Sequence, residues 1–169
     1  WKMHLNKAEA IELVESVLVG SKDLDLDENK IVVFSPSFVY LDTIVSKIAS
    51  LSNVFVAAQN CSEYEQGAYT GEVAAKMLQN VGVQFVIVGH SERRQYFNET
   101  NIVLHQKMKQ AFVHKLQPIF CCGEPLEIRE NQEHFLFIQQ QLENCLFLLS
   151  EEELLQTVIA YEPILLTIV

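Results

Sequence analysis

Five short apolar runs, each followed by a longer segment of helical period, constrain the fold of this chain more than any other feature. The runs occupy residues 31–34, 54–57, 85–88, 118–121 and 158–161. They are apolar throughout rather than alternating, which is typical of strands covered on both faces. Strands that alternate with helices in this way predict a parallel sheet built from right-handed βαβ units.

The segments between the runs have the pattern of amphipathic helices. Asn6 and Glu9 have the spacing of a capping box, which satisfies free N–H groups where a helix begins. Ser150 and Glu153 repeat that spacing and predict a short helix before the last run. The predicted buried faces contain Ala10, Val14 and Val17, then Leu104, Met108, Ala111 and Phe112, and finally Phe135, Ile138, Leu142, Cys145 and Leu149.

The chain shows no division into domains. Its 169 residues are enough for one domain with a sizeable core, and no low-complexity linker splits them, so we expect a single domain over 1–169. The pattern alone does not separate an open doubly wound sheet from a closed barrel. However, the Gly-rich fingerprints of nucleotide-binding sheets are missing from the sequence. A solvated connection is predicted at Asp23, Asp25, Asp27 and Glu28.

The charge balance and composition argue against several classes of function. The formal net charge is −10, and an acidic protein repels a phosphate backbone, so we expect no nucleic-acid partner. No apolar run reaches the ~18–20 residues of a membrane span, and no signal sequence is recognisable. We therefore expect no membrane partner and a cytoplasmic location. No metal-ligand spacing exists among the cysteines, which we expect to be buried thiols: Cys61, Cys121, Cys122 and Cys145.

Polar residues collect where the apolar runs end, which is where parallel α/β sheets bind their ligands. His90 follows the third run, and Ser91 beside it can cap a helix that begins there. A histidine near a helix N-terminus feels a positive potential that favours neutral imidazole, which can donate a hydrogen bond to a carbonyl oxygen. A structural histidine bonded to the backbone explains the pattern equally well.

Two more polar residues have positions suited to chemistry. Glu162 ends the fifth run and precedes the rigid Pro163, so its carboxylate could remove a proton from a bound substrate. Lys2 precedes the first helix and could attract an anionic substrate or stabilise developing negative charge. Taken singly, a salt-bridged surface glutamate and a solvated terminal lysine are the more common fates of such residues.

Six short segments together resemble the triosephosphate isomerase family. They read Trp-Lys-Met at 1–3, Ala-Gln-Asn at 58–60, Gly-Ala-Tyr-Thr-Gly-Glu at 67–72, Gly-His-Ser-Glu-Arg-Arg at 89–94, Cys-Gly-Glu at 122–124 and Tyr-Glu-Pro at 161–163. The segments follow the family's order at compatible separations. The resemblance runs from Trp1 to about Ile164.

The resemblance implies a fold, a reaction and roles for particular residues. The family fold is the (β/α)8 TIM barrel, and the reaction interconverts dihydroxyacetone phosphate and glyceraldehyde 3-phosphate, in glycolysis and gluconeogenesis, without a cofactor or metal. By the same resemblance, Glu162 is the base that shuttles the proton, His90 polarises the carbonyl oxygens, and Lys2 stabilises the enediolate charge. Glu92 and Ser91 are expected to support them.

The resemblance also implies an interface. The segment from Gln59 to Glu72 is similar to the family's interface loop, with Thr70 near its tip, so we expect a homodimer. The substrate implied is a small phosphorylated triose.

The family's pattern is only partly represented in this sequence. A barrel of this type has about 250 residues, whereas this chain has five full strand signals and the tail end of a first strand at Trp1. We therefore expect a partial barrel of about six βα units, lacking most of the first strand and the last two units. After Ile164 the pattern departs from the family's, with Leu165 at the position of a tryptophan and Ile168 at that of a lid glycine. An open sheet of this kind would expose apolar strand edges.

These observations leave three hypotheses about function. The first is a triosephosphate isomerase. The second is a catalytically inactive relic, or a non-enzymatic assembly partner of an intact barrel that retains the interface loop. The third is a doubly wound nucleotide-binding module, which the missing Gly-rich loop disfavours.

Overall fold

A computed structural model of the chain describes residues 1–21 and 30–164. The acidic connection predicted at 23–28 lies outside these residues, as do Leu165 and Ile168. Five strands are present in the described part: β1 (Val32–Phe34), β2 (Val54–Ala58), β3 (Phe85–Val88), β4 (Gln117–Cys122) and β5 (Val158–Tyr161). They coincide with the five apolar runs to within one or two residues at each end.

All the strand pairs are parallel, and the spatial order β1-β2-β3-β4-β5 follows the chain. Sequential order in a parallel sheet means that each connection crosses over in the same direction, as in a barrel and unlike a doubly wound sheet. The sheet is a curled half-barrel with helices around it. The prediction of a partial (β/α)8 TIM barrel is thus confirmed.

One part of that prediction is different in the structure. Trp1, expected to form the tail of a first strand, lies in no strand. Its carbonyl oxygen instead accepts a hydrogen bond from Nε2 of Gln59 at 3.0 Å, and the same amide donates to the carbonyl oxygen of Ser35. A side-chain amide therefore takes the place of main-chain pairing at this position.

The helices that follow and precede the strands are mostly short. They are α1 (Lys7–Ser21), α2 (Leu41–Ile48), α3 (Ala75–Val81), α4 (Ser91–Tyr96), α5 (Asn101–Val113), α6 (Leu126–Glu130), α7 (His134–Leu146) and α8 (Glu151–Leu155), with a 3₁₀ turn at Phe38–Tyr40. Both predicted capping boxes are confirmed: Asn6 and Glu9 exchange side-chain and main-chain bonds before α1, and Ser150 and Glu153 do so before α8.

The core lies between the sheet and these helices. Most members of the predicted helix faces are buried or pack against it, including Ala10, Val14, Leu104, Met108, Ala111 and Cys145. Two predictions are wrong, because Val17 is 39% exposed and Phe135 is 80% exposed. Periodicity shows which residues share a helix face, but the element beneath need not extend under the whole of that face.

Two further expectations concern the apolar residues and the cysteines. None of the helices in residues 1–21 and 30–164 is long and apolar enough to cross a membrane. Cys61, Cys122 and Cys145 are buried, as predicted, whereas Cys121 is only partly so, and all four are free thiols. Burial raises the pKa of Cys61 to about 12, so this thiol is protonated at neutral pH.

Candidate functional site

The residues singled out in the sequence gather at one edge of the sheet. His90 follows β3, the Gly123-Glu124 pair follows β4, and Glu162 follows β5. Because the strands are parallel, their carboxyl ends lie side by side, and this is the edge where such sheets bind ligands. The hydrogen bond from Gln59, which follows β2, brings the N-terminal segment to the same edge.

His90 connects the end of β3 to α4. It is the N-cap residue of that helix, and its Nδ1 accepts the main-chain N–H of Glu92 at 3.2 Å. The prediction that Ser91 caps the helix is therefore wrong: Ser91 is the first helical residue, and the imidazole provides the acceptor that a serine hydroxyl would have supplied. An Nδ1 that accepts a hydrogen bond carries no proton, so the ring proton lies on Nε2, which can donate to a ligand.

Lys2 is held by an ion pair to α4. Its Nζ lies 2.7 Å from Oε1 of Glu92, with 58% of the lysine side chain and 45% of the glutamate side chain exposed. The hydrogen bond to Glu92 and the charges of Glu92 and Glu162 raise the pKa of Lys2 above its ordinary value, against a smaller effect of burial. The lysine therefore keeps its positive charge at neutral pH.

The main chain holds Glu162 closely while its side chain is exposed. Its N–H donates to the carbonyl oxygen of Cys122 at 3.0 Å, extending the β4–β5 ladder by one residue. Gly123 packs against it so tightly that a Cβ there would lie 2.5 Å from the carbonyl oxygen of Glu162. The carboxylate is thus a solvent-accessible group on a fixed strand end.

A cluster beside Glu162 was not found from the sequence. Nε of Arg129 donates to Oε1 of Glu124 at 2.8 Å, and Oη of Tyr161 donates to Oε2 of the same carboxylate at 3.0 Å. Nη2 of Arg129 in turn donates to the tyrosine oxygen at 2.9 Å. Burial would raise the pKa of Glu124, but its own backbone N–H and these two partners together lower it. The buried carboxylate of Glu124 therefore holds Tyr161, the residue directly before Glu162, in place.

Arg94 is a second residue that sequence reasoning did not assign. It donates from Nε to the carbonyl oxygen of Gly89 at 2.8 Å and from Nη2 to that of Cys121 at 3.2 Å, while Nη1 donates to Oδ1 of Asn101. The arginine therefore ties the ends of β3 and β4 together. Its burial lowers the pKa of the guanidinium from its usual value, and the only available signal was its place in the 89–94 segment.

A cleft of about 680 Å³ opens between the ends of β3–β5 and α7. Ser91, Arg94, Gln141 and Glu162 are among its lining residues. Lys2 and His90 do not line this cleft, although their contacts with Glu92 place them at the same edge of the sheet. Lys2 and His90 thus each contact Glu92 directly. Ser91 and Glu162 do not contact each other in this way but line the same cleft.

The segment with the predicted interface residues is exposed over residues 64–72. Thr70 and Glu72 are exposed, and the rings of Tyr64 and Tyr69 stack with centroids 3.8 Å apart. Gln59 differs from them, because its amide donates to the carbonyl oxygens of Trp1 and Ser35 within the same chain. No group of His, Cys, Asp or Glu in residues 1–21 and 30–164 has the arrangement of a metal site.

Comparison with known proteins gives one consistent family. The family model described as triosephosphate isomerase matches residues 1–167. Curated relatives of that name include those of Clostridium botulinum (strain Okra / Type B1), 47% identical, Clostridium beijerinckii, 46% identical, and Amoebophilus asiaticus, 43% identical. Each match extends over 164 residues and covers 97% of this chain but 64% of the relative. The chain thus spans a little under two thirds of the length of these relatives.

Proposed function

The chain belongs to the triosephosphate isomerase family, and from this premise we propose that it interconverts dihydroxyacetone phosphate and glyceraldehyde 3-phosphate. The observation that carries the proposal is that Lys2 and His90 each contact Glu92, at the sheet edge where Glu162 also lies. The matches do not favour the alternative of an inactive relic.

Glu162 is the proposed base. Its carboxylate removes a proton from the carbon beside the substrate carbonyl, and the electron pair moves onto the carbonyl oxygen to give an enediolate. The isomerisation is complete when the hydroxyl proton has moved from one enediolate oxygen to the other and Glu162 has returned its proton to the neighbouring carbon, which also restores the free carboxylate. The main-chain bond to Cys122 and the close contact with Gly123 support this role, because a base must be held within hydrogen-bond reach of the proton.

His90 and Lys2 are proposed to stabilise the charge that develops on the oxygens. The Nε2–H of His90 is a neutral donor, since its Nδ1 already accepts a bond from Glu92. Lys2 supplies a positive charge whose pKa is raised by its pairing with Glu92. Donors placed before the reaction lower the barrier because they need not reorganise as charge forms. Glu92 supports both residues, and Ser91 contributes a hydroxyl group to the lining of the cleft.

We propose that the protein acts as a homodimer through the segment from Gln59 to Glu72. The exposed Thr70 and Glu72, and the stacked Tyr64 and Tyr69, support a contact surface on this segment. Aromatic side chains are enriched in such surfaces. The family assignment supports a place in glycolysis and gluconeogenesis and a cytoplasmic location.

A coupled isomerase assay on the 169-residue chain, run in both directions, tests the proposed reaction. We expect Glu162→Gln to lower kcat by about 10²- to 10⁴-fold, the usual contribution of a positioned general base. Glu130→Gln, which alters an exposed glutamate on α6, is the matched control and should retain the parent rate. Turnover that persists in Glu162→Gln would contradict the role of the base. A folded parent chain without turnover would contradict the proposed reaction for this polypeptide.

A further inference from the structure

The side chain of Gln141 on α7 is buried, and both ends of its amide bond to the main chain of Gly123. Oε1 accepts the N–H of Gly123 at 3.2 Å, and Nε2 donates to the carbonyl oxygen of the same residue at 3.1 Å. Only one orientation of a side-chain amide satisfies a donor and an acceptor together. Gln141 is 7% exposed, although glutamine is usually a surface residue. The two bonds therefore hold Gly123 from the side of α7.

α7 is a firm support for this amide. Cys145 lies about one turn after Gln141, on the same face of the helix, and is completely buried. Its Sγ donates to the carbonyl oxygen of Asn101 at 3.7 Å, and its own carbonyl oxygen lies 3.2 Å from Nδ1 of His105. Both of these partners belong to α5. The packing of α7 on α5 thus sets the position of Gln141.

Gly123 passes this constraint on to Glu162 through a close contact. The φ of Gly123 lies outside the left-handed region, so the main-chain conformation does not itself require glycine here. Space does require it, because a Cβ would lie 2.5 Å from the carbonyl oxygen of Glu162 and 3.5 Å from its carbonyl carbon. The N–H of Glu162 is already bonded to Cys122 of β4. The main chain of Glu162 is therefore held by β4 at its N–H and confined by Gly123 at its carbonyl group.

We propose that Gln141 is a positioning residue for the Glu162 carboxylate. Its amide clamps Gly123, and Gly123 fixes the main chain from which the carboxylate projects. The inference rests on the proposed function, in which Glu162 is the base, and a catalytic group displaced by about 1 Å can lose about a hundredfold in rate. Gln141 and Glu162 line the same cleft, but the amide is engaged with Gly123, so it acts through the main chain and not on the substrate.

The coupled isomerase assay compares Gln141→Met with the parent 169-residue chain. Methionine fills a similar volume but lacks the amide that makes both bonds. We expect kcat to fall by about 10- to 100-fold and KM to stay within about twofold, because the base is displaced and substrate binding is not. Gln140→Met, on the exposed neighbour in α7, is the matched control and should keep the parent constants. Parent constants in Gln141→Met would overturn the proposal, and so would a raised KM with an unchanged kcat.

A double-mutant cycle shows whether Gln141 acts through the base. In a Glu162→Gln background, Gln141→Met should cost no further rate, because the carboxylate that it positions is already absent. Independent losses that multiply would overturn the proposal. The cycle also separates this proposal from the proposed function. Turnover that persists in Glu162→Gln contradicts the base itself, whereas a loss in Glu162→Gln without a loss in Gln141→Met contradicts only the role of Gln141.

Hydrogen exchange tests the clamp without reference to turnover. In Gln141→Met the amides of Gly123 and Glu162 should exchange faster than in the parent, and Gln140→Met should leave both unchanged. Gln141→Asn is the second variant should methionine prevent folding. It keeps the amide, but on a side chain one methylene group shorter, so it falls short of Gly123 and should give the same changes. An unchanged Glu162 amide in a folded variant would overturn the proposal, whatever the turnover of the parent chain.

Discussion

Nζ of Lys2 lies 2.7 Å from Oε1 of Glu92, although the two residues are 90 positions apart in the sequence. The same glutamate donates its main-chain N–H to Nδ1 of His90. One residue of α4 therefore contacts both groups proposed to stabilise the enediolate. Loss of the Glu92 side chain would free Lys2 but would leave the main-chain bond to His90 in place.

The ion pair of Lys2 and Glu92 predicts that the pKa of Glu92 depends on Lys2. The hydrogen bond and charge of Lys2 hold the pKa of Glu92 below its ordinary value of 4.5. Lys2→Met should raise that pKa, as followed by NMR of the side-chain carboxyl carbon. Lys109→Met, which removes the partner of Glu153, should leave Glu92 unchanged and raise the pKa of Glu153 instead. An unchanged Glu92 titration in Lys2→Met would show that the pair does not form in solution.

The signs of the two shifts define a pH window for the contribution of this pair to stability. Glu92 has a lowered pKa, so its contribution is present above 4.5 and is lost as the pH falls through the folded-state value. Lys2 has a raised pKa, so its contribution is complete below 10.5 and is lost as the pH rises through its own folded-state value. The difference in unfolding free energy between the parent and Lys2→Met should therefore be flat at neutral pH and shrink at both extremes.

A buried ion cluster around Glu99 should contribute much more to the free energy of unfolding than the exposed pair of Lys2 and Glu92. Nε of Arg93 and Nζ of Lys107 each lie 2.6 Å from Oε1 of Glu99, and the side chains of Lys107 and Glu99 are 3% and 5% exposed. Removing one partner of a buried pair leaves an uncompensated charge and costs about 3–5 kcal/mol. We expect Lys107→Met to lower the unfolding free energy by about 3 kcal/mol, near the lower end of that range, because Arg93 still neutralises Glu99.

The control for this prediction is two positions away on the same helix. Lys109 pairs with Glu153 at the surface, where ion pairs contribute about 1 kcal/mol or less. Urea unfolding of Lys107→Met and Lys109→Met compares the two environments directly. Equal losses in the two variants would mean that burial does not determine the strength of these pairs.

The sequence was sufficient to predict the sheet because its strands are continuous apolar runs, the pattern of a parallel sheet, although β5 itself is largely exposed. Runs such as 85–88 and 158–161 are apolar throughout, and the observed strands β3 and β5 have those bounds. Helix faces were less predictable. Phe135 shares a helical stripe with Ile138, but it lines an open groove that Tyr161 of β5 also lines, where no element of the described chain covers it.

The candidate site was only partly predictable, for a different reason. His90 and Glu162 could be identified because a polar residue directly after an apolar run lies at the ligand-binding edge of a parallel sheet. The contacts that hold the strand end before Glu162 join residues distant in sequence: Tyr161 reaches Glu124 across 37 positions. Such contacts depend on strand register, which local pattern does not encode. The choice of His90 over Ser91 as the helix cap likewise depends on side-chain direction.

Substitutions of Gly123 and Gly20 by alanine should have opposite effects on the free energy of unfolding, because only Gly123 contacts Glu162. In Gly123→Ala the new methyl group would lie 2.5 Å from the carbonyl oxygen of Glu162, so the end of β5 must shift. We expect a loss of about 1–3 kcal/mol in unfolding free energy and faster hydrogen exchange at the Glu162 amide. Gly20→Ala, near the end of α1 and with no atom within 4 Å, should gain about 0.5–1 kcal/mol. A tolerated Gly123→Ala with an unchanged Glu162 amide would show that this contact does not position the base.

The hydrogen bonds of the Tyr161 hydroxyl should stabilise the end of β5, directly before Glu162. It donates to the buried carboxylate of Glu124 and accepts from Arg129, so Tyr161→Phe removes a charge-assisted donor and leaves Glu124 with one side-chain partner. We expect a loss of about 1–2 kcal/mol in unfolding free energy by urea denaturation. Tyr96→Phe, which alters a tyrosine that is 68% exposed, should change it by less than about 0.5 kcal/mol.

A double-mutant cycle then assigns the loss to a particular contact. If the hydroxyl acts through Glu124, Tyr161→Phe should cost less in a Glu124→Gln background, because the charged acceptor is already gone. Additive losses would place the effect of the hydroxyl elsewhere.

Burial and the bond to Glu124 also raise the pKa of Tyr161 above its ordinary value of 10.0. The unfolded chain therefore ionises first, and the parent should lose stability as the pH rises through 10.0, a loss that Tyr161→Phe should reduce.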